Sequence, residues 1–197
     1  TYNEFLEYDA MREKHEYFMA KVDNDAVLPV KMAAISAFTE GLALFSSFIM
    51  LLNFPRHGKM KGMGQIVTWS IVDETMHAEG IIALFRSYLE EKPELWNDDT
   101  KGQIYSIAEK MVELEDDFVD LAFQMGEMEN LTAAEVKQYI RYIADRRLIS
   151  MGMRGIFKVK KNPLPWVEEM INAPTHTNFF ENRSTDYATA ALSGSWE

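Results

Sequence analysis

The 197-residue chain contains no cysteine, which excludes thiolate metal sites, cysteine nucleophiles and a disulfide scaffold. It has only ten glycines and six prolines, too few for a fold made of many short strands and tight turns. Positive charge is also scarce, because 20 Lys and Arg stand against 31 Asp and Glu, giving a net charge of −11. That balance argues against a protein that binds nucleic acid or an anionic membrane by neutralising phosphates.

Apolar residues make up 47% of the chain, which is enough to bury a sizeable core. Their spacing predicts long helices joined by short connectors, and therefore an all-α bundle. The predicted helices cover 1–22, 27–53, 65–91, 100–127 and 132–152, with a short one ending near residue 172. The bundle is expected to occupy residues 1–172, and a flexible tail without helical periodicity residues 173–197.

One predicted helix is apolar enough to raise the question of a membrane span. From Met32 to Leu52 the only charged residue is Glu40, and a run of that length could cross a bilayer. A central carboxylate is costly in lipid, however, and basic flanking residues are few. A helix buried inside a bundle is therefore the preferred interpretation.

A carboxylate–histidine pair marks the next helix. Glu74 and His77 are three residues apart, which places both side chains on one helix face where they can bind the same metal ion. Such a pair also arises by chance in an acidic chain, and alone it indicates little. Glu40 strengthens the case, because a carboxylate in so apolar a stretch must be paired, protonated or bound to a metal. A glutamate from one helix and Glu-x-x-His from another form half of the di-metal site of ferritin-like bundles.

Two other observations qualify this site. No second Glu-x-x-His motif occurs in the chain. A rival set of carboxylates lies on the helix predicted over 100–127, where a solvated face is the preferred interpretation. Its members are Glu113, Glu115, Asp116, Asp117 and Asp120.

Six blocks of the sequence, in order, resemble the small, radical-generating subunit of class I ribonucleotide reductase. The first three are Glu40 to Phe48, Gly62 to Ile66 and Trp69 to His77. The others are Tyr139 to Leu148, Asn162 to Trp166, and Asn178 to Glu181 followed by Tyr187. Because they cover most of the chain, the resemblance is far more specific than one metal-binding motif.

The resemblance implies a ferritin-like bundle with a di-metal centre, most often two irons and in some members manganese or a mixed Mn/Fe pair. Glu40, Glu74 and His77 then correspond to three metal ligands. Asp73 resembles the aspartate of the family's radical-transfer route, and we also expect it to accept a hydrogen bond beside the metal site.

Three residues near the chain ends complete the expected radical pathway. Tyr2 fits the tyrosine that stores the radical, which in the family lies four residues after the histidine of the first Glu-x-x-His. Tyr187 resembles the tail tyrosine that relays the radical to the large subunit, and Glu181 a tail glutamate implicated in the same step. This placement puts the missing histidine before Thr1, so that the remaining ligands would come from an N-terminal segment.

The expected enzyme is ribonucleoside-diphosphate reductase, acting in the cytoplasm. Its expected partners are the large (alpha) subunit, the N-terminal half of the small subunit and a second complete small subunit in a homodimer, with neither nucleic acid nor a membrane. Two alternatives remain open at this point: another ferritin-like di-metal oxidase, and a non-catalytic helical fragment that serves as a scaffold.

Overall fold

The structure, a computed structural model, describes residues 4–22 and 26–172 of the chain. Within those ranges the fold is all-α and has no strand, only an isolated β-bridge between Met128 and Leu131. The α-helices are α1 (Asp9–Val22), α2 (Leu28–Met32), α3 (Phe45–Arg56), α4 (Lys61–Glu91), α5 (Asp98–Gln124), α6 (Ala133–Ser150) and α7 (Pro165–Ile171). Two 3₁₀ turns, Glu4–Glu7 and Pro93–Leu95, and a π-helical segment, Ala33–Glu40, complete the element order.

The starts of the two long C-terminal helices follow from local chemistry. The Thr132 side chain accepts a hydrogen bond from the Glu135 amide, while the Glu135 carboxylate accepts one from the Thr132 amide. This capping box starts α6. Helix α5 begins slightly earlier than predicted, because Asn97 is its N-cap and accepts a hydrogen bond from the Thr100 amide.

The π-helical segment lies at the centre of the bundle. It packs against α4, α5, α6 and α1, and Ala33, Ala37 and Phe38 in it are fully buried. Helix α4 also packs along α3, and α5 along α6. The segment that ends at Glu40 therefore contacts four of the helices that surround it, α1, α4, α5 and α6.

The single helix predicted over 27–53 is wrong in detail. The structure divides this stretch into α2, the π segment, a turn over residues 41–44, and α3. In the π segment the Gly41 amide donates to the Ser36 carbonyl at 2.7 Å, five residues back. Hydropathy could not reveal the interruption, because the apolar character continues through it.

The same stretch is the one run in the described chain that could cross a membrane by length and composition. It covers Leu28–Arg56, and 61% of its most apolar window is buried inside the fold. Burial of this kind is what a core helix shows. The structure thus gives this apolar run a place in the protein core.

Candidate metal centre

Three predicted ligands come together where the π segment faces α4. Glu40 is the last residue of the π segment, and Glu74 and His77 lie one turn apart on α4. One potential ligand atom from each residue lies within 4.8 Å of those of the other two. In the sequence, 34 positions separate Glu40 from Glu74, so their meeting depends on the packing of the π segment against α4.

The donor set suits a transition metal. Carboxylate oxygens and an imidazole nitrogen bind iron and manganese well, whereas thiolate-preferring metals would need the cysteines that this chain lacks. One oxygen of Glu40, Oε2, is buried without a hydrogen-bond partner among the described residues. An unpaired buried carboxylate oxygen is costly, and a cation beside it would remove that cost. The residues present therefore fit a metal ion.

His77 lies between two carboxylates. Its Nδ1 is 3.6 Å from Oε2 of Glu74, and its Nε2 is 3.7 Å from Oδ1 of Asp73. Both distances exceed that of a hydrogen bond. Asp73 nevertheless lies on the far side of the ring from Glu74, where a residue that orients a metal-binding imidazole belongs.

The site is open on one side. The His77 side chain is 51% exposed and that of Asp73 is 50% exposed, whereas Glu74 is 24% exposed. Three ligands from two elements cannot complete the coordination of two metal ions. The described residues thus provide three potential metal ligands around a site that is open on one side.

Contacts with Gly41 position the end of the π segment. The Arg147 side chain, from α6, donates through Nε to the Gly41 carbonyl at 3.0 Å, and its guanidinium lies 5.7 Å from the centre of the Phe45 ring. A Cβ on Gly41 would be 2.8 Å from that Nε and 2.7 Å from the Ala37 carbonyl oxygen. Glycine is therefore required at this close approach, immediately after Glu40.

The interpretation of Glu115 as part of a solvated acidic face is wrong. Its side chain is fully buried, and it contacts the Lys14 ammonium and the Ser46 hydroxyl. Burial raises the pKa of Glu115, an effect that Lys14 and Ser46 only partly offset. Position 115 continues the buried spacing of Ala108 and Met111 on α5, a periodicity that the surrounding charges concealed.

Lys14, on α1, contacts the Glu115 carboxylate on α5 and also the turn that follows Glu40. Its Nζ donates to the Ala43 carbonyl at 2.7 Å and lies 5.0 Å from the centre of the Phe118 ring. Helix α1 is thereby joined to α5 and to the turn that follows Glu40. Sequence reasoning did not single out Lys14, because a lysine in a charged amphipathic helix carries no signal of burial.

Tyr2, Glu181 and Tyr187 lie outside the described residues, as does the tail predicted over 173–197. Their expected roles stay predictions.

A helical bundle that brings two glutamates and a histidine together is typical of the di-metal carboxylate proteins. The family model described as ribonucleotide reductase, small chain, matches residues 1–163. The chain therefore belongs to the ribonucleotide reductase small-chain family, as the resemblance predicted.

Named relatives agree with this assignment. The whole chain is 50% identical to the probable ribonucleoside-diphosphate reductase small subunit 048L of Invertebrate iridescent virus 3, and covers 57% of it. Over 77% of the chain, it is 37% identical to the ribonucleoside-diphosphate reductase subunit beta of Chlamydia pneumoniae, covering 43% of that protein. The chain thus spans about half the length of these relatives.

Solved structures support the ferritin-like fold. The ribonucleotide reductase R2 subunit from Clostridium botulinum matches 86% of the chain with a TM-score of 0.79 at 17% identity, and 55% of that subunit is covered. A class I ribonucleotide reductase candidate from Bacillus halodurans matches 85% of the chain with a TM-score of 0.75 at 25% identity, and 62% of it is covered. The prediction of a ferritin-like helical bundle is confirmed.

Proposed function

We propose that this chain is the C-terminal portion of a ribonucleoside-diphosphate reductase small subunit that acts in the cytoplasm. The observation that carries the proposal is the convergence of Glu40, Glu74 and His77, whose ligand atoms lie within 4.8 Å of one another. Family membership supports it, because the matched model covers residues 1–163.

In this proposal Glu40, Glu74 and His77 bind one side of a di-metal centre, with iron as the expected metal and manganese or a mixed pair as alternatives. Such a centre supplies one-electron oxidising power that amino-acid side chains lack. A small shift of the His77 ring toward Asp73, now 3.7 Å from its Nε2, would let Asp73 accept a hydrogen bond and fix the ring nitrogen that faces the metal. The remaining ligands come from the N-terminal half of the small subunit.

The radical route uses residues at both ends of the chain. Tyr2 stores the oxidising equivalent as a phenoxyl radical after losing an electron and a proton. Asp73 belongs to the transfer route toward the protein surface. Tyr187, assisted by Glu181, passes the equivalent to the large subunit, which uses it to reduce ribonucleotides. A homodimer of complete small subunits is the proposed assembly.

Exposed apolar residues on α4 favour a missing helical partner over a solitary oxidase or scaffold. Ile66, Asp73, His77 and Leu84 follow one another at spacings of seven, four and seven residues, and therefore share a helix face. Ile66 is 49% exposed and Leu84 is 60% exposed. A further helix packed on this face would cover them and bring its own ligands to the open side of the site.

Manganese titration of the chain, followed by loss of the free Mn²⁺ signal in electron paramagnetic resonance, tests the ligand set. Wild-type protein is expected to bind the ion weakly. Glu40→Gln, Glu74→Gln and His77→Ala should each weaken binding by at least the ~10- to 100-fold that loss of an outer-shell partner causes. Glu90→Gln, an exposed carboxylate on the same helix, is the matched control. Equal affinity in all four variants would contradict the ligand assignment.

The relay is tested in the small subunit completed by its N-terminal half and mixed with the large subunit. Tyr187→Phe should preserve metal content and subunit association but abolish turnover, because phenylalanine has no phenolic hydrogen to lose. Deleting residues 192–197 should instead weaken association and leave the metal content unchanged. Normal turnover by Tyr187→Phe would rule out the proposed relay.

A further inference from the structure

A cleft between α4 and α6, on the side of α4 away from the open face of the metal site, concentrates positive charge. Its volume is about 490 Å³, within the range of small-molecule sites. Arg86, Arg146 and Arg147 line it together with the hydroxyls of Ser87 and Ser150. Glu79 is the acidic residue in its lining, so three guanidinium groups face one carboxylate in a chain whose net charge is −11.

These guanidinium groups are not paired within the described part of the protein. Neither Arg86 nor Arg146 makes a hydrogen bond or ion pair there, and Arg147 uses only its Nε, which donates to the Gly41 carbonyl. Glu79 forms no ion pair within 4 Å of any of them in that part of the chain. The planar forks of three arginines therefore remain available to an added acceptor.

Arg147 is the least exposed of the three arginines. Burial lowers the pKa of its guanidinium, which means that the protein environment disfavours its charge. Glu79 offsets this effect only in part. A partly buried cation that is only partly compensated by a carboxylate is unfavourable, and an anion in the cleft would relieve it.

Favourable interaction with a helix end explains only part of this arrangement. Arg147 lies in the last turn of α6, where the helix dipole favours a cation. That effect does not account for Arg86, which reaches the same cleft from α4. The convergence of arginines from two helices requires a different explanation.

We propose that this cleft is a binding site for a phosphate-type oxyanion of diphosphate size or larger. Arg86, Arg146 and Arg147 would donate to its oxygens, with Ser87 as a hydroxyl donor, since the Ser150 hydroxyl already donates to the Arg147 carbonyl at 2.9 Å. Three guanidinium forks supply more donors than one carboxylate can accept, whereas a diphosphate has enough oxygen atoms for all of them. The site lies apart from the proposed metal ligands, although Arg147 also donates to the carbonyl of Gly41, the residue after Glu40.

Isothermal titration calorimetry of the chain with inorganic pyrophosphate tests this site. The ionic strength should be low, because salt screens contacts between charged groups. We expect saturable one-to-one binding. Arg86→Gln and Arg146→Gln should each weaken it about tenfold or more, the effect of losing one charge-assisted hydrogen bond. Both residues are exposed, so the fold should tolerate the changes. Arg147→Lys keeps the charge but loses the fork, and should also bind more weakly.

Lys160→Gln is the matched control, since it removes one exposed positive charge away from the cleft and should leave affinity unchanged. Absence of saturable pyrophosphate binding would overturn the proposal, and would favour a carboxylate from another polypeptide as the counter-charge. Equal weakening by Lys160→Gln would also overturn it, because binding would then follow net charge alone. Unchanged affinity in Arg86→Gln and Arg146→Gln would have the same consequence.

Discussion

At the scale of single residues, two carboxylates with buried oxygens have different surroundings. Glu40 keeps an unpaired buried oxygen beside Glu74 and His77, where a metal ion can satisfy it. Glu115 is more deeply buried, but its oxygens contact Lys14 and Ser46. An unsatisfied carboxylate indicates a ligand, whereas a paired one indicates a structural role.

Protonation of Glu115 should affect stability. Burial raises its pKa above the 4.5 of a free glutamate, so between these two pKa values the folded state binds more protons than the unfolded state. The contribution of Glu115 to the free energy of unfolding should therefore decline as the pH rises from about 4.5 through the raised pKa. The decline should be about 1.4 kcal/mol for each pH unit that separates the folded-state pKa from the unfolded-state pKa.

Urea unfolding of wild type and Glu115→Gln between pH 4.5 and 7 measures this contribution. The wild type should lose stability relative to the variant as the pH rises. Parallel pH profiles, or relative stabilisation of the wild type with rising pH, would show that the pKa of Glu115 is not raised. Glu113→Gln, an exposed neighbour on α5, controls for the general loss of negative charge.

Gly41 should tolerate no side chain. In Gly41→Ala the new Cβ would lie 2.7 Å from the Ala37 carbonyl oxygen and 2.9 Å from that of Ser36, both of them backbone atoms. We expect destabilisation of about 1–3 kcal/mol, as in overpacked cores. The control is Gly102→Ala in α5, where nothing lies within 4 Å of the added methyl group and a gain of about 0.5–1 kcal/mol is expected. Equal effects in thermal unfolding would contradict the close approach.

Features of the site that depend on local sequence were easier to predict than those that depend on contacts between distant residues. The pairing of Glu74 with His77 follows from helical spacing alone, and Glu40 was singled out because it interrupts an apolar run. The burial of Glu115 was missed because Glu113, Asp116 and Asp117 surround it in sequence. Pairing with Lys14 spans about a hundred residues, and no local pattern encodes such a contact.

At the scale of elements, the π segment shows what hydropathy cannot predict. A uniformly apolar run specifies burial but not the hydrogen-bonding register of its backbone. Here Ser36 donates to the Met32 carbonyl, Thr39 donates to the Ala34 carbonyl, and Arg147 anchors Gly41. These contacts determine where the π-helical segment ends, and thus which residue of the apolar stretch faces α4. Helices α4 and α6, by contrast, were predicted to within a few residues at each end, because helical periodicity and, in α6, the capping box are local features.

The buried pair of Lys14 and Glu115 should be what joins α1 to α5. Lys14→Met leaves a buried carboxylate without its partner, and we expect a loss of about 3–5 kcal/mol. Replacing both residues, as Lys14→Met with Glu115→Leu, should cost clearly less, because no uncompensated charge remains. Denaturant unfolding of the two single variants and the double variant measures this coupling. Additive losses would mean that the two residues do not interact.

At the scale of the whole molecule, the candidate ligand His77 and an exposed apolar stripe lie on the same face of α4. Ile66 and Leu84 are exposed on α4 in line with the half-exposed His77. The relatives extend well beyond the matched region, since the chain covers 57% of the viral small subunit. A single N-terminal segment that packs on α4 would cover the stripe and complete the coordination sphere at once.

This coupling leads to a prediction about assembly. With only Glu40, Glu74 and His77 as ligands, the chain alone should bind iron or manganese weakly and form no tyrosyl radical. Together with the N-terminal half of the small subunit it should bind two metal ions per completed subunit, measured by elemental analysis after gel filtration. Because helix packing and metal binding share one face, Leu84→Glu should impair both, whereas Leu95→Glu, in the 3₁₀ turn after α4, should impair neither. Two tightly bound metals in the chain alone would show that its own residues already complete the site, and would contradict the division of ligands proposed here.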